Sequence, residues 1–534
     1  MLLFIYILFS ATVSAPEVPE ISIGKRVKVG ENHYTLGANY LKKNEFGVWE
    51  MYIEGDPYER GLIYGELAKE LNHYQEVVFV DQIKQFIPSK TFQNFLKIMM
   101  GFFTNEIPDN ISLENQQEIY GISRTFSDEF DDIAPKYTRI LGYHAAHDMG
   151  HALNDYSVVG CTSFALKGEK TVTNNLIVGR NFDFYVGDEF AENKIILFIN
   201  PSSGYKFVSY SWAGFTGVAS GMNEQGLTVT INASKSDLPT GSKTPISLLA
   251  REILQYSKNI DEAITIAKKR KTFVSETLMI ASANDNKTVL IEKSPTKLGV
   301  FEMKDDELIC SNHYQSNTFK NDEINIQNIQ NSDSKFRFDR VKQLLDNKNK
   351  TALTPLDFAE ILRNQKGIND DTLGMGNPKA LNQLIAHHSV VMQPTERKFF
   401  ITTKDYQLGP FIGYDLNKTF QLKQGTITDT IPADPFINSS AYESFKQYKA
   451  IKHQISQYLI FNKPLNLTSQ TVKAFIQSNS ESYITYEMLG KYYSKKGNKQ
   501  KAKYYFEVAL QKPLASKNVE QELKHLLNKC SSKH

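Results

Sequence analysis

Apolar residues recur at three- and four-residue spacing from about residue 48 to 157, as in Leu62, Leu67 and Leu71 and again in Phe92, Phe95, Leu96 and Met99. That period predicts an α-rich block. From Cys161 onward the texture changes to short apolar runs, TSFAL, NLIVGRNFDF, KIILFIN, KFVSYSW and LTVTI, each of which predicts a strand. Leu227, Val229 and Ile231 alternate with Thr228 and Thr230, the period-two mark of a half-buried strand, and Gly221 and Gly226 frame the hairpin loop before it. Helices are predicted over about 246–257 and 261–270, then strands through TLMIASAN, TVLIEKS and LGVFEMK to Cys310. Two more helices near 335–346 and 355–364, a strand pair SVVMQ and KFFITT, and a polar linker at about 416–440 follow. A strand-rich middle with helices between its runs predicts an α+β fold of stacked sheets covered by helices.

Near the C-terminus, Tyr486, Leu489, Gly490, Tyr493, Ala502, Phe506, Ala509 and Pro513 match the tetratricopeptide spacing W-x2-L-G-x2-Y…A-x3-F…P, with Tyr486 in place of the tryptophan. Gly497 falls where the turn belongs. One copy is too few for a solenoid, which needs about three, so a hairpin capping the main domain is expected ahead of a partner-binding one.

Composition narrows the classes. Of 534 residues, 41% are hydrophobic and 22% charged, a globular profile rather than a disordered one. A net charge of only +2 argues against nucleic acid as a partner. Residues 2–9, LLFIYILF, followed by small residues ending at Val13 and Ala15, read as a signal peptide over 1–15 and predict export. The expected destination is secreted or periplasmic, or a lysosome-like compartment if the cell is eukaryotic. The three cysteines, Cys161, Cys310 and Cys530, leave at least one thiol free within the chain. Cys530 lies in a polar tail, KCSSKH, whereas Cys161 sits among residues that suggest chemistry.

Val159-Gly160-Cys161-Thr162-Ser163-Phe164, followed by Gly179-Arg180-Asn181-Phe182-Asp183, resembles the N-terminal-nucleophile hydrolases of the penicillin (isopenicillin N) acyltransferase and choloylglycine hydrolase type. Gly55-Asp56-Pro57 with Gly61 and Gly65 is similar to the opening of the acyltransferase branch. Gly221 to Leu227 with Asn232, Ser311-Asn312-His313, and Arg337 with Arg340 fall in the family's order. The resemblance runs from about 50 to 405. It implies a four-layer αββα sandwich, a helical pro-segment or α-chain over 16–160 and a β-chain core over 161–415; the chain's own pattern beyond it predicts linker and early helices over 416–465 and a tetratricopeptide-like helical hairpin over 466–534.

The resemblance also implies self-cleavage between Gly160 and Cys161. A nucleophile that uses its own α-amino group as base needs that amine to be set free, and an α-amine of pKa about 7.7–8.0 can accept the proton of a thiol of about 8.5. Gly160 would hold strained backbone beside the attacked carbonyl. Arg180 and Asp183 would orient the nucleophile and favour thiolate, Asn232 would face the oxyanion, and Asn312 would contact nucleophile and substrate. One catalytic arginine is implied, Arg337 in preference to Arg340. No cofactor and no metal is called for. The implied substrate is a small N-acyl amide, hydrolysed or transferred, with the processed chains staying associated. Peripheral lipid contact and self-association stay open.

Two further features compete. His144, His147 and His151 would line one helical face, a zinc-like set that makes a metal-dependent hydrolase the alternative; the plainer reading is packed helix surface. Residues 86–103 are dense in Phe and Met, and Phe95, Met99 and Phe102 are candidate lining for an acyl chain. A non-enzymatic reading, an inactive scaffold with a partner-binding C-terminal end, completes the set.

Overall fold

The computed structural model describes residues 13–87, 89–145, 148, 159–237, 243–348 and 351–531. In chain order its strands are β1 (Val27–Gly30), β2 (His33–Leu36), β3 (Asn39–Lys43), β4 (Trp49–Gly55), β5 (Val159–Leu166), β6 (Ile177–Phe184), β7 (Lys194–Pro201), β8 (Phe207–Trp212) and β9 (Ser220–Asn223). They continue as β10 (Leu227–Ala233), β11 (Glu276–Ser282), β12 (Lys287–Lys293), β13 (Leu298–Glu302), β14 (Glu307–Cys310), β15 (His388–Gln393), β16 (Lys398–Thr402), β17 (Phe411–Asp415) and β18 (Ile427–Ile431). Eleven form one sheet in the order β1-β2-β3-β4-β7-β8-β9-β10-β11-β12-β13, and seven form another in the order β14-β5-β6-β15-β16-β17-β18.

The fold is mixed α+β, and its cores show how the parts stack. Ile196, Phe198 and Leu290 of the larger sheet meet Val178, Met392 and Tyr414 of the smaller in one core. Away from that core, Ile195 and Leu197 pack with Ile119, Leu248 and Ile253 of the helices Leu113–Ser123 and Ile246–Tyr256. On the smaller sheet, Phe164 and Val391 pack with Val341 and Phe358 of the helices Ser334–Asn347 and Pro355–Leu362. Each sheet thus has one face on its partner and one under helices.

Three sequence expectations change. The segment before Cys161 is not wholly helical: β1 to β4 precede the helix Pro57–Leu67, and β4 pairs parallel with β7 from Trp49↔Ile195 to Gly55↔Pro201. β1 to β3 are short and polar (VKVG, HYTL, NYLKK), so pairing of each with the next and of β4 with β7, rather than apolar pattern, decides their state. The polar linker holds the helix Leu416–Leu422 and β18, which pairs with β17 at the edge of the smaller sheet. β10 is buried along both faces, not half-buried, because it lies between β9 and β11; the Thr228 hydroxyl accepts from the Ala281 N–H.

Glycines set the closest helix crossing. A Cβ on Gly61 would lie 2.2 Å from the Glu118 carbonyl oxygen, and one on Gly121 would lie 2.7 Å from that of Tyr58. That contact brings the Arg60 side chain to the buried Glu118 carboxylate at 2.7 Å, where Arg251 of the helix Ile246–Tyr256 also arrives at 2.8 Å. At the C-terminal end, Gly490 makes room for the Phe506 ring, and Gly497 turns the chain at φ 77° between the helices Tyr483–Lys495 and Lys499–Leu510. These helices rest on the loop before β15: the Asn377 amide donates to the Pro513 carbonyl at 2.8 Å, and the Met375 N–H to the Asn479 amide oxygen at 3.0 Å. Among the described residues, no helix is long and apolar enough to cross a membrane.

Glu118 sets a testable pH dependence. Burial alone would raise its pKa, but Arg251 and Arg60 outweigh that and hold it at about 2, against about 4.3 in an unfolded chain. Its contribution is therefore complete above the unfolded value and drains away as pH falls toward 2. Glu118→Gln, which leaves two buried guanidinium groups without their carboxylate, should cost about 3–5 kcal/mol. In urea unfolding from about pH 5 down to pH 2.5, wild type should lose stability more steeply than the variant; parallel curves would refute the assignment.

Candidate active site

Cys161 lies on β5, fully buried, and pairs across to Phe182 of β6. On its other side β14 ends at Cys310, which pairs with Ser163, so no strand continues opposite Cys161. Side chains replace the missing strand. The Cys161 N–H donates to the Asn312 amide oxygen at 2.9 Å, and its carbonyl accepts from the Arg337 guanidinium at 2.6 Å. Arg337 also donates to Asn312 at 2.6 Å, to the Thr162 hydroxyl at 3.0 Å and to Asp333 at 2.9 Å. Asn312 is in turn held by its own amide on the Ala233 carbonyl at 2.8 Å and by Asn328, which donates to the Asn312 carbonyl at 2.6 Å.

The sulfur faces Arg180, which lies opposite Ser163 in the β5–β6 register and places a guanidinium nitrogen 3.7 Å from it. Arg180 also donates to the Ser220 hydroxyl at 2.6 Å and the Ile231 carbonyl at 2.5 Å, and stands 4.2 Å over the Phe182 ring. Asn232 therefore sits between two anchored neighbours, Ile231 bonded to Arg180 and Ala233 bonded to Asn312. Its amide oxygen accepts from the Ser163 hydroxyl at 3.0 Å, while its buried NH2 has no partner among the described residues. A fixed donor left open beside a thiol is what an oxyanion would use.

Asp183 faces Gly160 in the register and accepts from the Gln383 amide at 3.2 Å through one oxygen; the other has no partner among the described residues. Gly160 lies in ordinary strand pairing rather than a left-handed conformation, so strain is not its reason for being glycine. Its reason is space, since a Cβ there would lie 2.8 Å from the Gln383 amide nitrogen and displace the group that holds Asp183. Arg340 turns away to Asp370, Gln343 and Asn364, so Arg337 is the arginine that reaches Cys161.

Electrostatics correct one expectation. With the Gly160–Cys161 bond intact, the site does not favour thiolate: burial pushes the Cys161 thiol up to about 11, Arg180 opposes this, and Asp183 and Glu276 add to it. Burial likewise raises Asp183 to about 7 against the pull of Arg337 and Arg180.

Sequence reasoning missed Gln383, Ser220 and His388. His388 is fully buried and lies 2.9 Å from the Ser220 hydroxyl and 3.4 Å from Arg180, and its other ring nitrogen meets that of His387 at 2.8 Å. His387 precedes β15, so the strand's alternation does not hold the two rings on opposite faces. Gln383 sits in a loop without periodicity, where no pattern could mark it.

Of the competing histidines, His144 is buried, with one ring nitrogen at the Ile140 carbonyl and the other at Thr216, which engages both possible ligand atoms. His147 and His151 lie outside the described residues, as do the side chains of Phe95, Met99 and Phe102.

A buried thiol near the head of a strand, with an arginine at its sulfur and an amide and a second arginine on its backbone, is the arrangement that the resemblance to N-terminal-nucleophile hydrolases and acyltransferases leads us to expect. Residues 170–401 match the family described as acyl-coenzyme A:6-aminopenicillanic acid acyl-transferase. An N-acylethanolamine-hydrolyzing acid amidase of Caenorhabditis elegans is 22% identical over 255 residues, 46% of this chain and 67% of the relative. Protein dcd1B of Dictyostelium discoideum is 25% identical over 298 residues, 52% of this chain and 54% of its own. An uncharacterized protein of Archaeoglobus fulgidus is 23% identical over 305 residues, half of each chain. The chain thus spans about half the length of these last two relatives. Among solved structures, a conjugated bile acid hydrolase from Clostridium perfringens is similar at TM-score 0.34 and 17% identity, covering 51% of this chain and 97% of that one. A Caenorhabditis elegans N-acylethanolamine-hydrolyzing acid amidase ortholog is similar at 0.33 and 17%, covering 44% and 93%.

Burial and the raised thiol predict selective labelling. While the Gly160–Cys161 bond is intact, iodoacetamide at neutral pH should modify the half-exposed Cys530 and leave Cys161 and Cys310 untouched. Peptide mass mapping reads this directly, and rapid alkylation of Cys161 in the uncut chain would contradict the buried site.

Proposed function

We propose that the protein is an exported cysteine amidase or acyltransferase that cuts itself between Gly160 and Cys161 and then acts on N-acyl amides. The observation that carries the reading is that the sulfur, the N–H and the carbonyl of one cysteine are each held by a residue expected from sequence: Arg180, Asn312 and Arg337.

In the uncut chain the thiol proton is the one the departing nitrogen takes up, and Asp183, which faces Gly160 in the register with Gln383 on one oxygen, stands at the bond that breaks. The sulfur attacks the Gly160 carbonyl carbon, the Gly160–Cys161 C–N bond breaks, and the proton passes to the departing nitrogen, which becomes the α-amino group of Cys161. Water then hydrolyses the Gly160 thioester, freeing the thiol and a Gly160 carboxylate. Thereafter the new amine serves as base. It remains where Asn312 holds the Cys161 nitrogen, within reach of Asp183's register position. With a substrate the thiol attacks the acyl carbon, Asn232 donates to the oxyanion, the amine product leaves with a proton, and water or a second amine resolves the acyl-enzyme.

The αββα layering, the helical hairpin as a cap, and continued association of the two chains belong to the same reading. The β4–β7 pairing and the Arg60–Glu118–Arg251 cluster cross the cut and support that association.

Intact mass and N-terminal sequencing test the proposal. Wild type should give two chains, one beginning Cys-Thr-Ser-Phe, and Cys161→Ala should stay whole. In processed enzyme, Asn232→Ala should lower kcat by about 10²–10³-fold on any N-acyl amide turned over. A folded wild type that never acquires the Cys161 terminus would end the reading.

A further inference from the structure

The helix Lys69–Phe86 presents Asn72, Gln75, Glu76 and Phe79 at i, i+3, i+4 and i+7, the spacing of a core-facing stripe that is ordinarily apolar. Here three of the four are polar, and all three are buried: Asn72 is 1% exposed, Gln75 4% and Glu76 2%. They line a cavity of about 40 Å³ whose other walls include Phe126, Phe184, Phe190, Trp212 and Phe215. Both polar atoms of the Asn72 amide, the Gln75 amide oxygen and one Glu76 oxygen have no partner among the described residues. The remaining groups are committed: the Gln75 NH2 donates to the Phe190 carbonyl at 3.2 Å, and the other Glu76 oxygen accepts from Arg139 at 2.6 Å and Tyr143 at 3.0 Å. Buried polar groups left without partners each cost about 1–3 kcal/mol. Four of them converging on one cavity mark a place where something polar belongs. Three are acceptors and one is a donor group, so the complementary occupant carries a hydrogen-bond donor.

The register places this cavity relative to the chemistry. In self-cleavage, Gly160 and the residues before it are the acyl half of the broken bond. Val159 lies opposite Phe184 in the β5–β6 pairing, two positions along from the Cys161↔Phe182 pair, or about 7 Å along the strand. Phe184 is a cavity wall, and Cys161, Phe182, Phe184 and Trp212 share one packed core. The cavity therefore lies on the acyl side of the nucleophile.

We propose that the cavity reads the far end of the substrate's acyl group and selects an apolar acyl body tipped with a hydroxyl or amino group. The cavity has room for the tip, which donates to Asn72, Gln75 and Glu76, and the apolar body enters only by parting the packed Phe184 and Trp212 rings. This rests on the amidase reading above and adds the substrate class to it. The segment before the cut thus reads specificity, while the chain beginning at Cys161 carries the reacting thiol.

The test uses processed full-length enzyme and amides of one fluorogenic amine, 7-amino-4-methylcoumarin, that differ only at the acyl tip: 4-hydroxyphenylacetyl, 4-aminophenylacetyl and the isosteric 4-methylphenylacetyl. The hydroxyl and amino substrates should exceed the methyl one in kcat/KM by at least about tenfold, since a site built for a donor rejects the analogue that lacks it. Asn72→Leu, with its melting transition intact, should collapse that ratio. Equal rates or a methyl preference in wild type would overturn the inference while leaving the amidase standing, and this comparison needs no variant. An unchanged ratio in folded Asn72→Leu would overturn Asn72 as the reader. Self-cleaved protein that turns over none of these amides, nor acyl amides of other lengths, would overturn the amidase reading and this inference together.

Discussion

The site depends on a shortage of strand. β14 stops at Cys310, and the N–H and carbonyl of Cys161 then face an edge with no ladder to join. Burying those two groups unpaired would be costly, and Asn312 and Arg337 supply the missing bonds from side chains. A backbone partner would lock Cys161 into the sheet on both sides. A side-chain amide can instead hold the nitrogen both as a peptide N–H and as a free amine, because its oxygen accepts from either. The supports of Asn312 and Arg337 come from Ala233, Asn328 and Asp333, none of which lies in the segment before the cut, so this grip does not depend on that bond surviving.

Burial decides the charge state of the intact site. It moves the Cys161 thiol and the Asp183 carboxyl upward and Arg180 downward, each toward its neutral form. The cation at the sulfur is not enough to ionise the thiol against that effect. A proton acceptor next to the sulfur is therefore needed at both stages. On the proposed reading an α-amine of pKa about 7.7–8.0, borne by Cys161 itself, supplies it after the cut.

Much of this was legible in the chain, for identifiable reasons. The strands from 161 to 310 announce themselves because buried strands are continuous apolar runs with few alternatives. Arg337 and Arg340 could be placed on one helix but not told apart. Three residues turn a helix by about 300°, and that 60° offset sends one guanidinium to Cys161 and the other to Asp370. β1 to β3 were hidden because they are short, polar strands paired one to the next, and β4 because it joins β7, more than a hundred residues away. The alternation in β10 misled because period two reports polarity by face, and Thr228 and Thr230 are polar residues buried in a sheet centre. Gln383 and His388 act through long-range contacts, which carry no local signature.

The helix Lys69–Phe86 shows the opposite situation, a local rule broken where the structure explains it. Helix stripes at this spacing bury apolar side chains because tertiary packing, not propensity, stabilises most helices. A stripe of Asn, Gln and Glu gives up that stabilisation and adds desolvation, and Arg139 offsets only part of it through Glu76. Were the face merely structural, Leu at 72 would hold the helix better and lose no hydrogen bond, whereas Gln75 at least holds the Phe190 carbonyl. Such departures concentrate where a chain trades stability for recognition. Here the departure lies against Phe184 and Trp212, which share a core with Cys161. On the proposed reading the two halves of the chain divide the work: one carries Cys161 and the groups that hold it, and the other, joined to it through β4 and Glu118, carries the polar lining of the cavity.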